Sequence, residues 1–204
     1  MSLFYKLLKL PQDPLDRKNL ASLIAKKKKY STVEEDLETY LTTEILDIFK
    51  SINLRPRFVV YFGRLYAKQN EIQVHRDITY IDKQWQSVPC GINWELTPGD
   101  TLFEWYNTSA EDEHLPDPEH ALPLELNGAH YGHRANMDTS TFIKVESLNV
   151  KENQPYLFRT DIPHRVTYKT SSYNRICISI RFESNDVQSW QHALEVFDSL
   201  IIKD

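Results

Sequence analysis

Apolar and polar positions alternate most clearly near the end of this chain. From Arg175 to Phe182 the even positions are Ile176, Ile178, Ile180 and Phe182, and the odd ones are Arg175, Cys177, Ser179 and Arg181. That alternation predicts a strand with one apolar and one polar face. Two arginines on the polar face are ordinary if it meets water and informative if it looks into a barrel. Pro89 to Leu96 alternates in the same way, with Asn93 and Glu95 among its polar positions. Arg57 to Tyr66, rich in Phe, Val and Tyr, also reads as a strand, as do Thr141 to Val150 and Gln154 to Arg159. Thr97-Pro98-Gly99-Asp100 is a turn signal, so Thr101 to Tyr106 is expected to be the returning strand.

Helical periods flank this middle. Asp16 can cap a helix through Ala25, with the run Lys26 to Lys29 at its end, where cations suit the helix dipole. Ser31-Thr32-Val33-Glu34 has the form of a capping box. After it, Leu37, Leu41, Ile45 and Ile48 recur at helical spacing, with Tyr40 and Phe49 beside them. Val187, Trp190, Ala193, Leu194, Phe197 and Leu200 predict a packing helix within Asp186 to Ile202. The expected organisation is a single domain of 204 residues. Residues 1–55 form a helical support, 56–184 a β core and 185–204 a C-terminal helix.

The core is interrupted by a polar insertion over residues 107–133. It holds Glu111, Asp112, Glu113, Asp117 and Glu119, and four of the seven histidines: His114, His120, His130 and His133. His130-x-x-His133 has no cysteine partner and none of the common zinc spacings. The insertion reads as an irregular lid or substrate-recognition loop, or as a plain surface excursion.

Candidate chemistry sits in two short stretches. Val74-His75-Arg76-Asp77 places an imidazole and a carboxylate two residues apart, on one face of an extended chain. Ile162-Pro163-His164 supplies a second imidazole far downstream. Two histidines and a carboxylate can hold a ferrous ion on one face and leave its other positions open.

In this order, His75-x-Asp77, then His164, then Arg175 eleven residues later, the chain resembles the 2-oxoglutarate and Fe(II)-dependent dioxygenases of the double-stranded β-helix type. The resemblance covers roughly Phe58 to Phe182. It implies a mainly β fold with flanking helices, a jelly-roll or cupin-like double-stranded β-helix barrel. It makes His75, Asp77 and His164 the iron ligands and catalytic centre, and Arg175 the partner of the far carboxylate of 2-oxoglutarate. Tyr66, nine residues before His75, matches a tyrosine that hydrogen-bonds the cosubstrate in prolyl-hydroxylase-like members. The spacing of Arg181 from Arg175 is similar to that of the nucleic-acid repair branch, where the second arginine approaches the iron. Asn93 is a candidate for substrate or for support of the site, and a solvent-facing strand asparagine fits its position equally.

The chain departs from both branches. Ala67-Lys68-Gln69-Asn70-Glu71 stands where prolyl hydroxylases usually have glycines, and the further upstream motif of the repair branch is absent. The implied reaction is hydroxylation of an amino-acid side chain, in a protein or a small molecule, with release of succinate and carbon dioxide. The alternatives are a cupin-like metal-binding barrel without oxygenase activity, which would not need Arg175, and a nucleic-acid demethylase.

A net charge of −5 gives no reason to expect a polyanion. The expected partner is a small-molecule or peptide substrate, not nucleic acid and not a membrane. No apolar run approaches a membrane span, and Met1 to Leu10 has no signal-peptide core. Cys90 and Cys177 are the only two cysteines; in apolar, strand-like surroundings they are expected to be reduced and buried, in a cytoplasmic protein.

Overall fold

The computed structural model describes residues 2–15, 30–33, 40–62, 74–81, 84–96, 101–107, 121–126, 129–134, 142–168, 177–182 and 185–203. These residues are mostly β-sheet. A six-stranded sheet has the order β1 (Tyr5–Leu7), β11 (Pro155–Arg159), β6 (Cys90–Glu95), β13 (Cys177–Phe182), β3 (Pro56–Phe62) and β2 (Tyr30–Val33). A three-stranded sheet places β7 (Thr101–Asn107) between β10 (Ile143–Asn149) and β12 (His164–Tyr168). A four-stranded sheet has the order β5 (Gln84–Ser87), β4 (Asp77–Ile81), β9 (Ala129–Arg134) and β8 (Ala121–Leu126). All named strand pairs are antiparallel. Among the described residues the ladders do not close into a barrel.

Two helices stand on one face of the six-stranded sheet. α1 (Thr43–Ser51) starts where the Thr42 side chain accepts the backbone N–H of Ile45. It stops at Asn53, which adopts φ 56°. The Asn53 N–H donates to the Lys50 carbonyl, and the Leu54 N–H to that of Phe49. This paired closure favours a residue tolerant of the left-handed region. α2 (Trp190–Val196) is capped by Ser189 and runs into a short 3-10 turn, Asp198–Leu200. Ile45 and Phe49 of α1, Trp190 and Ala193 of α2, and Phe197 pack on Ile92, Trp94, Ile178, Ile180 and Phe182. Phe182 meets Phe49 and Phe197 edge-on, with centroids 5.2 and 5.5 Å away.

The even positions of β6 and β13 therefore face helices. The odd positions are buried as well: Arg181 meets Asp77 of β4, Glu95 accepts the Thr101 hydroxyl of β7, and the three-stranded sheet packs on β11 of the same sheet. There Phe103 stacks on Phe158 at 4.3 Å, and Trp105, Tyr156, Val150 and Val166 complete a second apolar cluster. Both strands are thus two-sided interior strands, and Arg181 is only 8% exposed.

Several expectations are corrected. Among the described residues, the 1–55 segment holds the strands β1 and β2 beside α1. Ser31, Thr32 and Val33 pair with Tyr61, Val60 and Val59 in a ladder instead of opening a helix. Leu41 precedes α1 and makes an isolated bridge with Leu15. Thr101 to Tyr106 is a strand but does not return beside β6; it crosses to the other sheet, between β10 and β12. The 107–133 insertion includes two strands, β8 and β9, and β9 pairs with β4. The expected helix from Asp16 and the Thr97–Asp100 turn lie outside the described residues. No helix among the described residues is long and apolar enough to cross a membrane.

Candidate metal centre

His75 and His164 face each other across a two-residue antiparallel bridge. Each backbone N–H donates to the other's carbonyl at 2.9 Å. The bridge joins the start of β12 to the residues just before β4, and so brings the two sequence stretches together. Asp77 opens β4 two residues beyond His75. Its N–H donates to the Thr160 carbonyl, and its own carbonyl accepts the Val88 N–H.

Asp77 Oδ1 lies 3.7 Å from Nε2 of His75 and 3.7 Å from Nε2 of His164. The three ligand atoms all fall within 4.8 Å of one another. First-row metal ions bind such atoms at about 2.0–2.2 Å. An ion bridging two atoms 3.7 Å apart meets that distance, and small side-chain shifts bring in the third. A 2-His-1-carboxylate donor set with open positions suits Fe(II). The residues present therefore fit a divalent ion of this kind.

The imidazoles are prepared as ligands. Nδ1 of His164 lies 2.9 Å from the Ile162 carbonyl, to which it donates. That fixes the tautomer with the Nε2 lone pair turned to Asp77. Burial, reinforced by His75 beside it, pushes the His164 imidazole down to about 3, against the pull of Asp77. The ring stays neutral and stacks on Phe103 at 5.3 Å.

The second oxygen of Asp77 is already taken. Arg181 Nη2 donates to Asp77 Oδ2 at 2.8 Å, in a buried ion pair. Arg181 Nη1 donates to Ser179 Oγ and, at 3.4 Å, to Asn93 Oδ1. Ser179 Oγ in turn donates to Asn93 Oδ1. One carboxylate oxygen thus faces the imidazoles while the other is held by a guanidinium anchored on β6 and β13. That division leaves Asp77 as a one-oxygen ligand.

The arrangement brings together five of the seven residues singled out from sequence. His75, Asp77 and His164 form the candidate centre, with Arg181 and Asn93 behind the carboxylate. Asn93 is buried, 6% exposed, and does not face solvent. Tyr66 and Arg175 lie outside the described residues. Sequence reasoning missed Ser179 and Thr160. Ser179 carried a signal, since it shares the odd face of β13 with Arg181. Thr160 carried none.

Two buried groups complete the surroundings. Cys90 and Cys177 are buried, as expected, and burial pushes the Cys90 thiol up to about 12. On the far face of the three-stranded sheet, Glu104 receives Lys144 Nζ at 2.9 Å, Arg165 Nε at 2.6 Å and the Tyr106 hydroxyl at 2.9 Å. This network ties β10, β7 and β12 together directly behind His164.

No protein-family model and no curated protein matches the chain. Solved structures give weak likenesses. HygX from Streptomyces hygroscopicus, solved with nickel and 2-oxoglutarate bound, aligns with TM-score 0.40 and 12% identity, over 81% of this chain and 75% of that one. The same protein with nickel, 2-oxoglutarate and hygromycin B bound aligns at 0.35 and 12%, over 85% and 80%. E. coli ycfD aligns at 0.33 and 11%, over 89% of this chain and 50% of that one. Likeness at such low TM-scores carries no weight for this chain's chemistry, which rests on its own residues.

Proposed function

We propose that this chain is an Fe(II)- and 2-oxoglutarate-dependent oxygenase built on a double-stranded β-helix, hydroxylating an amino-acid side chain of a protein or small molecule. The observation that carries the reading is one carboxylate oxygen set 3.7 Å from the Nε2 atoms of two imidazoles, in an otherwise buried interior. Fe(II), when bound with 2-oxoglutarate and dioxygen, supplies the oxidising chemistry.

The chain's own residues supply binding and orientation. His75, Asp77 and His164 would hold the ion on one side and leave the other side for cosubstrate and dioxygen. Arg181 neutralises Asp77, so an ion held there keeps a larger net positive charge, which favours an anionic chelating ligand. Phe103 and Phe158, stacked beneath His164, exclude water from that side. Arg175 and Tyr66 keep the roles their resemblance implies, gripping the far carboxylate of 2-oxoglutarate and hydrogen-bonding the cosubstrate.

The test is anaerobic visible spectroscopy of the metal-free protein given Fe(II) and then 2-oxoglutarate. A charge-transfer band that needs both, and is lost in Asp77→Ala, is the expected result. Arg175→Ala should keep iron binding and weaken the 2-oxoglutarate requirement. Iron binding without the band would replace the reading with a metal protein lacking a cosubstrate. No iron binding would overturn it.

A further inference from the structure

Thr160 precedes the short turn that leads into β12, and it is 1% exposed. Its three polar groups are all used. The carbonyl accepts the Asp77 N–H at 3.0 Å, the N–H donates to the Pro89 carbonyl at 3.1 Å, and Oγ1 donates to the Val88 carbonyl at 2.7 Å. Val88 closes the ring, because its N–H donates to the Asp77 carbonyl at 3.0 Å. Both backbone groups of Asp77 are therefore fixed by a loop made of Asp77, Thr160 and Val88. The hydroxyl of Thr160 is the one side-chain group in that loop.

The same turn fixes the second imidazole. The Ile162 carbonyl receives Nδ1 of His164, the Pro163 carbonyl receives the Tyr106 N–H, and the Arg159 carbonyl receives the Trp105 indole N–H. Residues 159–163 are thus pinned at four of their five positions to groups that bear on Asp77 or His164. Without the hydroxyl, the Val88 carbonyl loses this bond in a buried setting, where an unpaired group is unfavourable. Relief requires Val88 to move, and Val88 holds the Asp77 carbonyl.

We infer that Thr160 is a positioning residue for the metal centre: its side-chain hydroxyl, through Val88, sets where Asp77 stands relative to the two imidazoles. The inference rests on the metal-centre reading above. Partners that orient ligands in this indirect way typically change metal affinity by about 10–100-fold when removed.

The experiment is Co(II) titration of the full chain, followed by visible absorption, for wild type, Thr160→Val and Thr160→Ser. Thr160→Val should bind Co(II) at least about tenfold more weakly. Thr160→Ser, which keeps the hydroxyl, should restore most of the affinity and the wild-type band shape. A core variant far from the site, Phe49→Ala, serves as control and should lose stability without losing affinity. If Thr160→Val does not fold, Thr160→Ala is read in its place, since it removes the same hydroxyl without adding a methyl group. Equal affinity in wild type and Thr160→Val overturns the inference, as does a Thr160→Ser variant no better than valine. Failure of both hydroxyl-free variants to fold also overturns it, because the residue then serves the fold at large. A wild type that binds no Co(II) fails at the metal-centre reading itself, a separate result.

Discussion

The guanidinium of Arg181 lies over Gly91, in the volume a side chain at that position would occupy. A Cβ on Gly91 would overlap Nη1, Cζ and Nε of Arg181. β6 and β13 are neighbours in the six-stranded sheet, and the glycine lets the arginine lie flat across the strand. From there it reaches Asp77 in another sheet. Gly91→Ala should displace the guanidinium, since the backbone is held in the ladder with β11 and the side chain is what can move. The expected cost is about 1–3 kcal/mol in stability, with a clear loss of divalent-ion affinity. Denaturant unfolding and Co(II) titration of the same preparation check both parts. Unchanged affinity would mean that Arg181 does not set Asp77.

Removing the arginine exposes a different balance. Arg181→Met takes a buried ion-pair partner away from Asp77, itself 4% exposed. Breaking a buried pair from one side costs about 3–5 kcal/mol. A divalent ion on Asp77 replaces part of the lost positive charge. The variant should therefore be much less stable than wild type without metal, and should gain more stability than wild type when Co(II) is added. Unfolding curves with and without the ion give the comparison; equal gains in the two proteins would count against a metal at Asp77.

Acid should weaken the network behind His164. Burial pushes the Glu104 carboxyl up, but the hydrogen bonds from Lys144, Arg165 and Tyr106 outweigh it and hold the group below its ordinary value of 4.5. A carboxyl depressed in the folded state contributes stability that is complete above 4.5 and is lost as pH falls through the folded value. Glu104→Gln should lower stability near neutral pH and flatten the fall below that point. Melting temperatures taken across the acid range test this; parallel curves for the two proteins would show that Glu104 is not the group responsible.

Phe49 offers the contrasting case. It is fully buried between α1 and the sheet, edge-on to Phe182. Phe49→Ala should cost about 3–5 kcal/mol and leave Co(II) affinity within about twofold, because the even face of β13 carries no ligand or ligand partner. A joint loss of affinity would mean that helix packing and the site are coupled through the strand.

The alternation in β13 and β6 was legible, and so was the pairing of His75-x-Asp77 with His164 as a possible ligand set. What alternation does not encode is whether a polar face meets water. Arg181, Ser179 and Asn93 look like a solvent face in sequence, and the structure turns them inward because a second sheet covers them. Ser31 to Glu34 was misread for a related reason. Ser, Thr and Val suit both a helix start and a strand, and the β3 ladder decided the matter. β8 and β9 were missed because Ala129-His130-Tyr131-Gly132-His133-Arg134 has no apolar period, and pairing with β4 supplies what local pattern lacks. Turn residues mark where a chain reverses but not which ladder it joins, so β7 went to the other sheet.

Asp77 and Arg181 are separated by 104 positions along the chain, and of the two imidazoles that Asp77 faces, one lies just before that interval and the other well inside it. No short stretch of the unfolded polypeptide contains the ligand set. Only His75 and Asp77 are near neighbours in sequence, and the full ligand set forms when the sheets assemble. Such long-range closure makes folding slow relative to proteins of local contacts. Divalent ions should then slow the unfolding of this chain while leaving its refolding rate unchanged.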